Sequence, residues 1–270
     1  MRRRSFISGA VVGAGGLSGC IGSLGGTDPD VSPHEFPDRP DQLTPESAVE
    51  YVAAYEETRV HNYHAEAGAT EVTVEAVATF DYEADDGAHV TAQHAGTVYR
   101  DRDGERDVGE LYSPPVPYRV TPESTLRLDV ERVRARDVDG EVSEDDGTDD
   151  DATEDDGTDD EPADPPLGVR TVNVTDHVRE MTITIVSDGG DGDPVNEVDV
   201  TVGAGSAVVL VPMAIARGTY RVIARFEENG VVGEGRVDVE LPGVERDANV
   251  DVVLTPDGLS TRLLPSFEYI

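Results

Sequence analysis

Glu71 to Ala84 reads EVTVEAVATFDYEA, and how this stretch is placed decides the architecture of the N-terminal half. Val72, Val74, Ala76, Ala78, Phe80 and Tyr82 alternate with Glu71, Thr73, Glu75, Val77, Thr79, Asp81 and Glu83. A period of two with apolar residues on one side predicts a strand with one buried face and one wet face. Upstream, Thr44-Pro45-Glu46-Ser47 places a capping side chain, a proline and an acid where a helix begins. Ala48, Val49, Val52, Tyr55, Val60 and Tyr63 then fall on one side at helical spacing, and Gly68 can end the helix.

Downstream, Asp85-Asp86-Gly87 turns the chain into a strand near 88–100, and Asp101 to Gly104 turns it again. Strands near 106–120 and 125–136 follow. The tetrapeptide of the helix start recurs at Thr121 to Ser124, but there Leu126, Leu128 and Val130 repeat every two residues, so a strand is expected. The expectation for residues 44–140 is an α+β domain, one helix on a four-stranded antiparallel sheet.

Residues 167–257 read as all-β. Met181, Ile183 and Ile185 alternate, as do Val198, Val200 and Val202, Tyr220 to Phe226, and Val250, Val252 and Leu254. Glu228-Asn229-Gly230 has the chemistry of a hairpin turn. Short strands with turns between them suggest a sandwich of about seven strands, with residues 258–270 as a C-terminal tail or edge strand. Gly218-Thr219-Tyr220 resembles the strand start of Ig-like and fibronectin-like surface modules. That resemblance implies an Ig-like β-sandwich, although the chain has no Trp and one Cys and so lacks the immunoglobulin Cys–Trp–Cys pattern.

Two low-complexity segments frame these units. Residues 21–43 are rich in Gly, Ser, Asp and Pro and read as a flexible tether. Residues 141–166 read as an acidic disordered linker, in which EDDGTDD at Glu144 to Asp150 recurs at Glu154 to Asp160.

The 270 residues carry 57 acids against 21 Arg and no Lys, a net charge of -36. Residues 141–164 hold 14 of the acids, so 43 remain against the 21 Arg. Such a surface repels itself in dilute buffer and becomes tolerable near 1 M salt, where the Debye length falls to about 3 Å. Solvated salt cations are its natural company, and nucleic acid is excluded as a partner for want of a basic face. The pattern resembles proteins of halophilic archaea.

The first twenty residues give an address. Met1-Arg2-Arg3-Arg4-Ser5-Phe6-Ile7 precedes a weakly apolar, glycine-rich run that is too short to span a bilayer, which reads as a signal peptide over residues 1–20. Arg3, Arg4 and Phe6 resemble a twin-arginine export motif, and Leu17-Ser18-Gly19-Cys20 resembles a lipobox. Cys20 is the chain's one cysteine. The resemblance is to a Tat-exported lipoprotein: it implies a lipid on Cys20 and a protein held to the membrane on its extracellular side.

Chemistry is sparse by comparison. Glu57, His61 and His64 share a helical stripe whose spacing could seat a metal, but the stripe falls opposite the apolar positions and reads as a solvated face. His89 and His94 point to opposite faces of one strand, His94 toward the core. Asp188, Asp191 and Asp193 resemble a calcium loop in composition alone. The thiol is spoken for, so a blue-copper site is not expected, and no serine-nucleophile or phosphate-cradling motif occurs. No cofactor, metal or catalytic residue is assigned, and the chain is not expected to be an enzyme. The expectation is a binding or scaffolding module at the cell surface with a protein or small-molecule partner. A small-ligand carrier using a pocket in the α+β domain is the alternative, and an undetected hydrolase the third. A concave apolar cavity between the 44–66 helix and the sheet would favour the carrier, and a filled interface with an exposed apolar strip the binder.

Overall fold

Thr44 and Ser47 close a reciprocal cap, with Ser47 N–H donating to Thr44 Oγ1 at 3.2 Å and Thr44 N–H to Ser47 Oγ at 2.9 Å. Helix α1 (Pro45–Glu66) starts there and ends before Gly68, whose φ of 78° ordinary side chains avoid. This computed structural model describes residues 31–135 and 162–270, apart from Asp86, Asp103, residues 189–192 and residues 229–230. The leader with Arg3, Arg4, Phe6 and Leu17 to Cys20, residues 21–30 of the tether, residues 141–161 of the linker, Asp191 and Asn229-Gly230 lie outside the described residues.

The chain is mostly strand, with one helix and three sheets among the described residues. The first sheet holds five strands: β1 (Glu71–Ala84), β2 (Gly87–Arg102), β3 (Glu105–Tyr112), β4 (Val116–Val120) and β5 (Thr125–Arg127), all antiparallel. The stretch expected as one strand over 106–120 is cut by Pro114-Pro115, which cannot donate to a ladder. Strands β3 and β4 therefore share one edge of β2, and β1 lines the other.

The strand expected over 125–136 also divides. Leu128 is fully buried, and after it β6 (Asp129–Val133) leaves the first sheet to pair in parallel with β10 (Ser206–Ala214) through five residue pairs, from Asp129↔Ser206 to Val133↔Leu210. The second sheet runs β14 (Gly258–Leu263), β13 (Val250–Thr255), β7 (Leu167–Asn173), β10, β6. The third runs β12 (Val231–Leu241), β11 (Gly218–Glu228), β8 (Arg179–Ser187), β9 (Pro194–Val202). These two face each other in a sandwich-like pair. Leu167, Val169, Leu210, Val250 and Leu254 of one meet Ile183, Ile185, Val222 and Ala224 of the other.

Every residue of β7 is buried, as are the first five of β13. Strands covered on both faces have this signature. The second sheet's other face carries Arg170, Val172, Val209, Asp251 and Val253, and the first sheet lies over it, with Tyr82 packed in both satellite cores. The layers therefore stack as helix, first sheet, second sheet, third sheet. Ala48, Tyr51 and Val52 of α1 meet Val90, Tyr118 and Val120 and fill the outermost seam.

The alternation of β1 breaks at one point. Phe80 pairs with Val90 and Tyr82 with His89, which leaves Asp81 as an unpaired bulge residue. The extra residue turns Tyr82 away from the helix side and stacks its ring on His89, centroids 4.6 Å apart. Asp81, placed by period two on the wet face, is buried at 8% exposure.

Candidate functional site

Four buried charges meet where the first two sheets touch. Arg170 donates from Nε to Asp251 Oδ1 (2.9 Å) and from Nη2 to Asp251 Oδ2 (2.8 Å) and Asp81 Oδ2 (3.0 Å). Arg246 donates from Nη1 to Asp81 Oδ1 (2.8 Å) and to the Pro265 carbonyl (3.2 Å). Thr91 Oγ1 accepts from Arg170 (2.7 Å) and Arg246 (2.5 Å) and donates to Asp81 (2.6 Å), which uses its whole capacity. Tyr82 donates to Asp251 Oδ2 at 2.5 Å. Two positive and two negative side chains balance. Burial pushes the Asp251 carboxyl up, but Arg170 and the Tyr82 hydrogen bond outweigh it and hold it below the usual carboxylate range. Burial, then the Asp251 charge, pushes the Tyr82 phenol well above its ordinary range. A balanced set walled off from solvent ties the first two sheets together.

A second set sits inside the helix–sheet seam. Glu56 of α1 is fully buried and accepts from His94 Nδ1 (2.8 Å), from Arg59 Nε (2.7 Å) and Nη2 (3.0 Å), and from the Tyr118 hydroxyl, with Arg127 Nε 3.5 Å away. Burial alone would raise the carboxyl. The His94, Arg59 and Tyr118 hydrogen bonds more than reverse that and hold it well below the usual range. Burial and then the Glu56 charge push the Tyr118 phenol far up. His94 is thus a satisfied interior histidine, 9% exposed.

The Glu57, His61, His64 stripe is rotated from its expected place. Tyr63, assigned to the apolar side, is 65% exposed, whereas His61 is buried at 8%. Counting apolar positions misjudged the wheel because the inward face includes Glu56, whose charge is neutralised internally. The three side chains do not converge. Glu57 Oε1 accepts from Ala76 N–H (3.0 Å), His61 stacks on His34 (3.7 Å, 12°), and His64 Nδ1 faces Arg100 Nη2 (2.9 Å). Burial and then the Arg100 charge lower the His64 pKa from its ordinary value. No group of three His, Cys, Asp or Glu able to hold a metal occurs among the described residues. Asp188 and Asp193 are exposed at the end of β8 and just before β9.

Residues 31–43, expected to be tether, lie along α1. Asn62 receives His34 N–H (2.7 Å) and donates to the His34 carbonyl (2.8 Å), Phe36 packs on Tyr55 (4.9 Å), and Ser47 Oγ donates to the Gln42 carbonyl (2.8 Å). Proline and acid content concealed this docking, which rests on single side chains.

Two open grooves are notable. One of about 480 Å³ runs between α1 and β1, lined by His34, Glu57, Thr58, His61, Val72 and Val74. The other, of about 570 Å³, lies between β12 and β14, lined chiefly by Val239, Leu241, Pro242, Asn249 and Leu263. Compared with known proteins, the chain matches no family model and no curated protein.

Proposed function

We propose that the protein is a Tat-exported lipoprotein, held to the extracellular side of the cell membrane by a lipid on Cys20, and that it acts there as a binding or scaffolding module. The observation that carries this reading is positional. The one thiol in 270 residues closes a leader in which Arg3-Arg4 and Leu17-Ser18-Gly19 stand in the order that export and lipidation require. A lipid would then supply the membrane attachment, and no helix among the described residues is long and apolar enough to cross a bilayer.

Within this reading the helix and first sheet form an α+β unit, the second and third sheets an Ig-like sandwich that includes β6, and the acidic residues ahead of buried Ala163 an excursion from that sandwich. The excess of acid outside that linker suits an exterior at molar salt. The helix–sheet seam is packed with Ala48, Tyr51, Val52, Val90 and Tyr118. The groove that remains between α1 and β1 is open and lined by His34, Glu57, Thr58 and His61, so packed seam and polar groove together support a module that presents surfaces over a carrier that encloses an apolar ligand.

Fractionation of cells expressing the native chain and Cys20→Ser tests the anchor. The native protein is expected with the membranes and the variant in the aqueous fraction; equal partition of the two overturns the reading. Affinity capture at molar salt then identifies the partner.

A further inference from the structure

We propose that the His34–His61 stack is an acid-sensitive catch, which docks residues 31–43 on α1 near neutral pH and releases their N-terminal end below it. The two imidazoles lie face to face, 3.7 Å between centroids and 12° from parallel, one from the extended segment and one from the helix. Imidazole is the ordinary side chain that changes charge between pH 5 and 8. Two protons place like charges at contact distance, one on buried His61 and one on His34, which is exposed.

Little around the pair offsets a second charge. From α1 the facing groups are Glu57, Thr58 and Asn62, and from β1 they are Val72, Thr73 and Val74. The one carboxylate among them, Glu57, is engaged by Ala76 N–H. Asn62 is engaged by the His34 backbone, so its clamp opens with the stack. The next attachment is Phe36 on Tyr55, which makes His34 the place where peeling starts. Freeing residues 31–36 lengthens the leash by up to about 20 Å at roughly 3.5 Å per residue. What that length means at a membrane rests on the anchor reading, but the catch itself does not.

The chain has no Trp, so Phe36→Trp in the full-length protein is a single reporter of docking. Acrylamide quenching is followed from pH 8 to pH 5 at molar salt, with far-UV circular dichroism alongside. Expected is a fall in the docked-to-free ratio of about fivefold or more toward pH 5, the effect of one repulsion of about 1 kcal/mol, with the dichroism unchanged. His34→Gln and His61→Gln in the same background are expected to remove the pH dependence. A flat profile in the parent, a step that persists in His61→Gln, or a step that coincides with loss of far-UV signal overturns the proposal. The readout lies wholly between residues 34 and 61, so its failure leaves the Cys20 reading untouched, and the reverse.

Discussion

The guanidinium of Arg170 meets the carboxylate of Asp251 through two parallel hydrogen bonds of 2.9 and 2.8 Å, with the pair at most 5% exposed. The two residues sit on neighbouring parallel strands at the same register, Asp251↔Arg170, so the ladder itself aims the fork. From there Arg170 reaches into the first sheet, to Asp81 and Thr91. One side chain thus ties its own strand to three others, across two sheets.

Arg170→Met should be among the most damaging single changes outside the apolar core. Removing one partner strands Asp251 and unbalances Asp81, and breaking a buried pair costs about 3–5 kcal/mol. Arg170→Met with Asp251→Leu should cost clearly less than the two single changes summed, by at least about 1 kcal/mol. Denaturant titration at molar salt measures all three variants. Strict additivity would contradict the pairing.

Acid should weaken the fold through Glu56 and Asp251. Both carboxyls are held below their ordinary range, so in acid the unfolded chain binds more protons than the folded one. Their contribution is in place above the free carboxyl pKa, about 4, and is lost as pH falls below it. Relief of surface repulsion works the other way at a net charge of -36, so the comparison with Glu56→Gln isolates the buried group. The variant should be less stable at pH 7 and show a shallower fall in Tm from pH 5 to pH 3.

Alkali acts in the opposite sense on Tyr82 and Tyr118. Both phenols are raised, so their stabilisation is complete below the free tyrosine value, about pH 10, and lost as pH climbs above it. Of nine tyrosines, at least these two should stay silent in an absorbance titration near 295 nm until the chain unfolds. Nine phenols ionising together below pH 11 in the folded protein would refute the burial of both hydroxyls.

Gly168→Ala should loosen the junction between β7 and the segment carrying Arg246. A Cβ there would lie 1.9 Å from the Asp247 carbonyl oxygen and 2.9 Å from Ala248 Cα. Both are backbone, so the chain beside Arg246 must shift, at a cost of about 1–3 kcal/mol. The loss should be read as a lower denaturation midpoint. An unchanged midpoint would mean that this approach is not as close as described.

Local patterns in the sequence revealed most elements and few of their partners. Thr44-Pro45 marked the helix start, and the alternations at 181–185, 220–226 and 250–254 marked strands, because caps and period two depend on neighbours in the chain. Asp81 was misread because a bulge changes parity with no change in residue type. Glu56 was overlooked because, besides Arg59 one turn on, its compensation comes from His94, Tyr118 and Arg127, 38 to 71 residues away. The destination of β6 was hidden for the same reason: nothing in DVERV names β10 as its neighbour. A single Arg in LGVRTVN and a single Asp in VDVVLT carry no local sign of each other, yet they answer each other across a ladder.

Strand β6 also changes what the acidic stretch connects. Ala135, just before it, and Ala163, just after it, both end in the core between the second and third sheets, and Ala163 N–H is tied to the Ile215 carbonyl at 2.7 Å. The stretch is therefore an excursion from one body back into the same body, and its two ends are fixed whatever its length. Doubling a loop costs only about 0.6 kcal/mol in closure entropy. Duplications such as EDDGTDD can accumulate or vanish there at almost no thermodynamic penalty, and a protease cut inside it would leave two fragments still zipped together by the β6–β10 ladder.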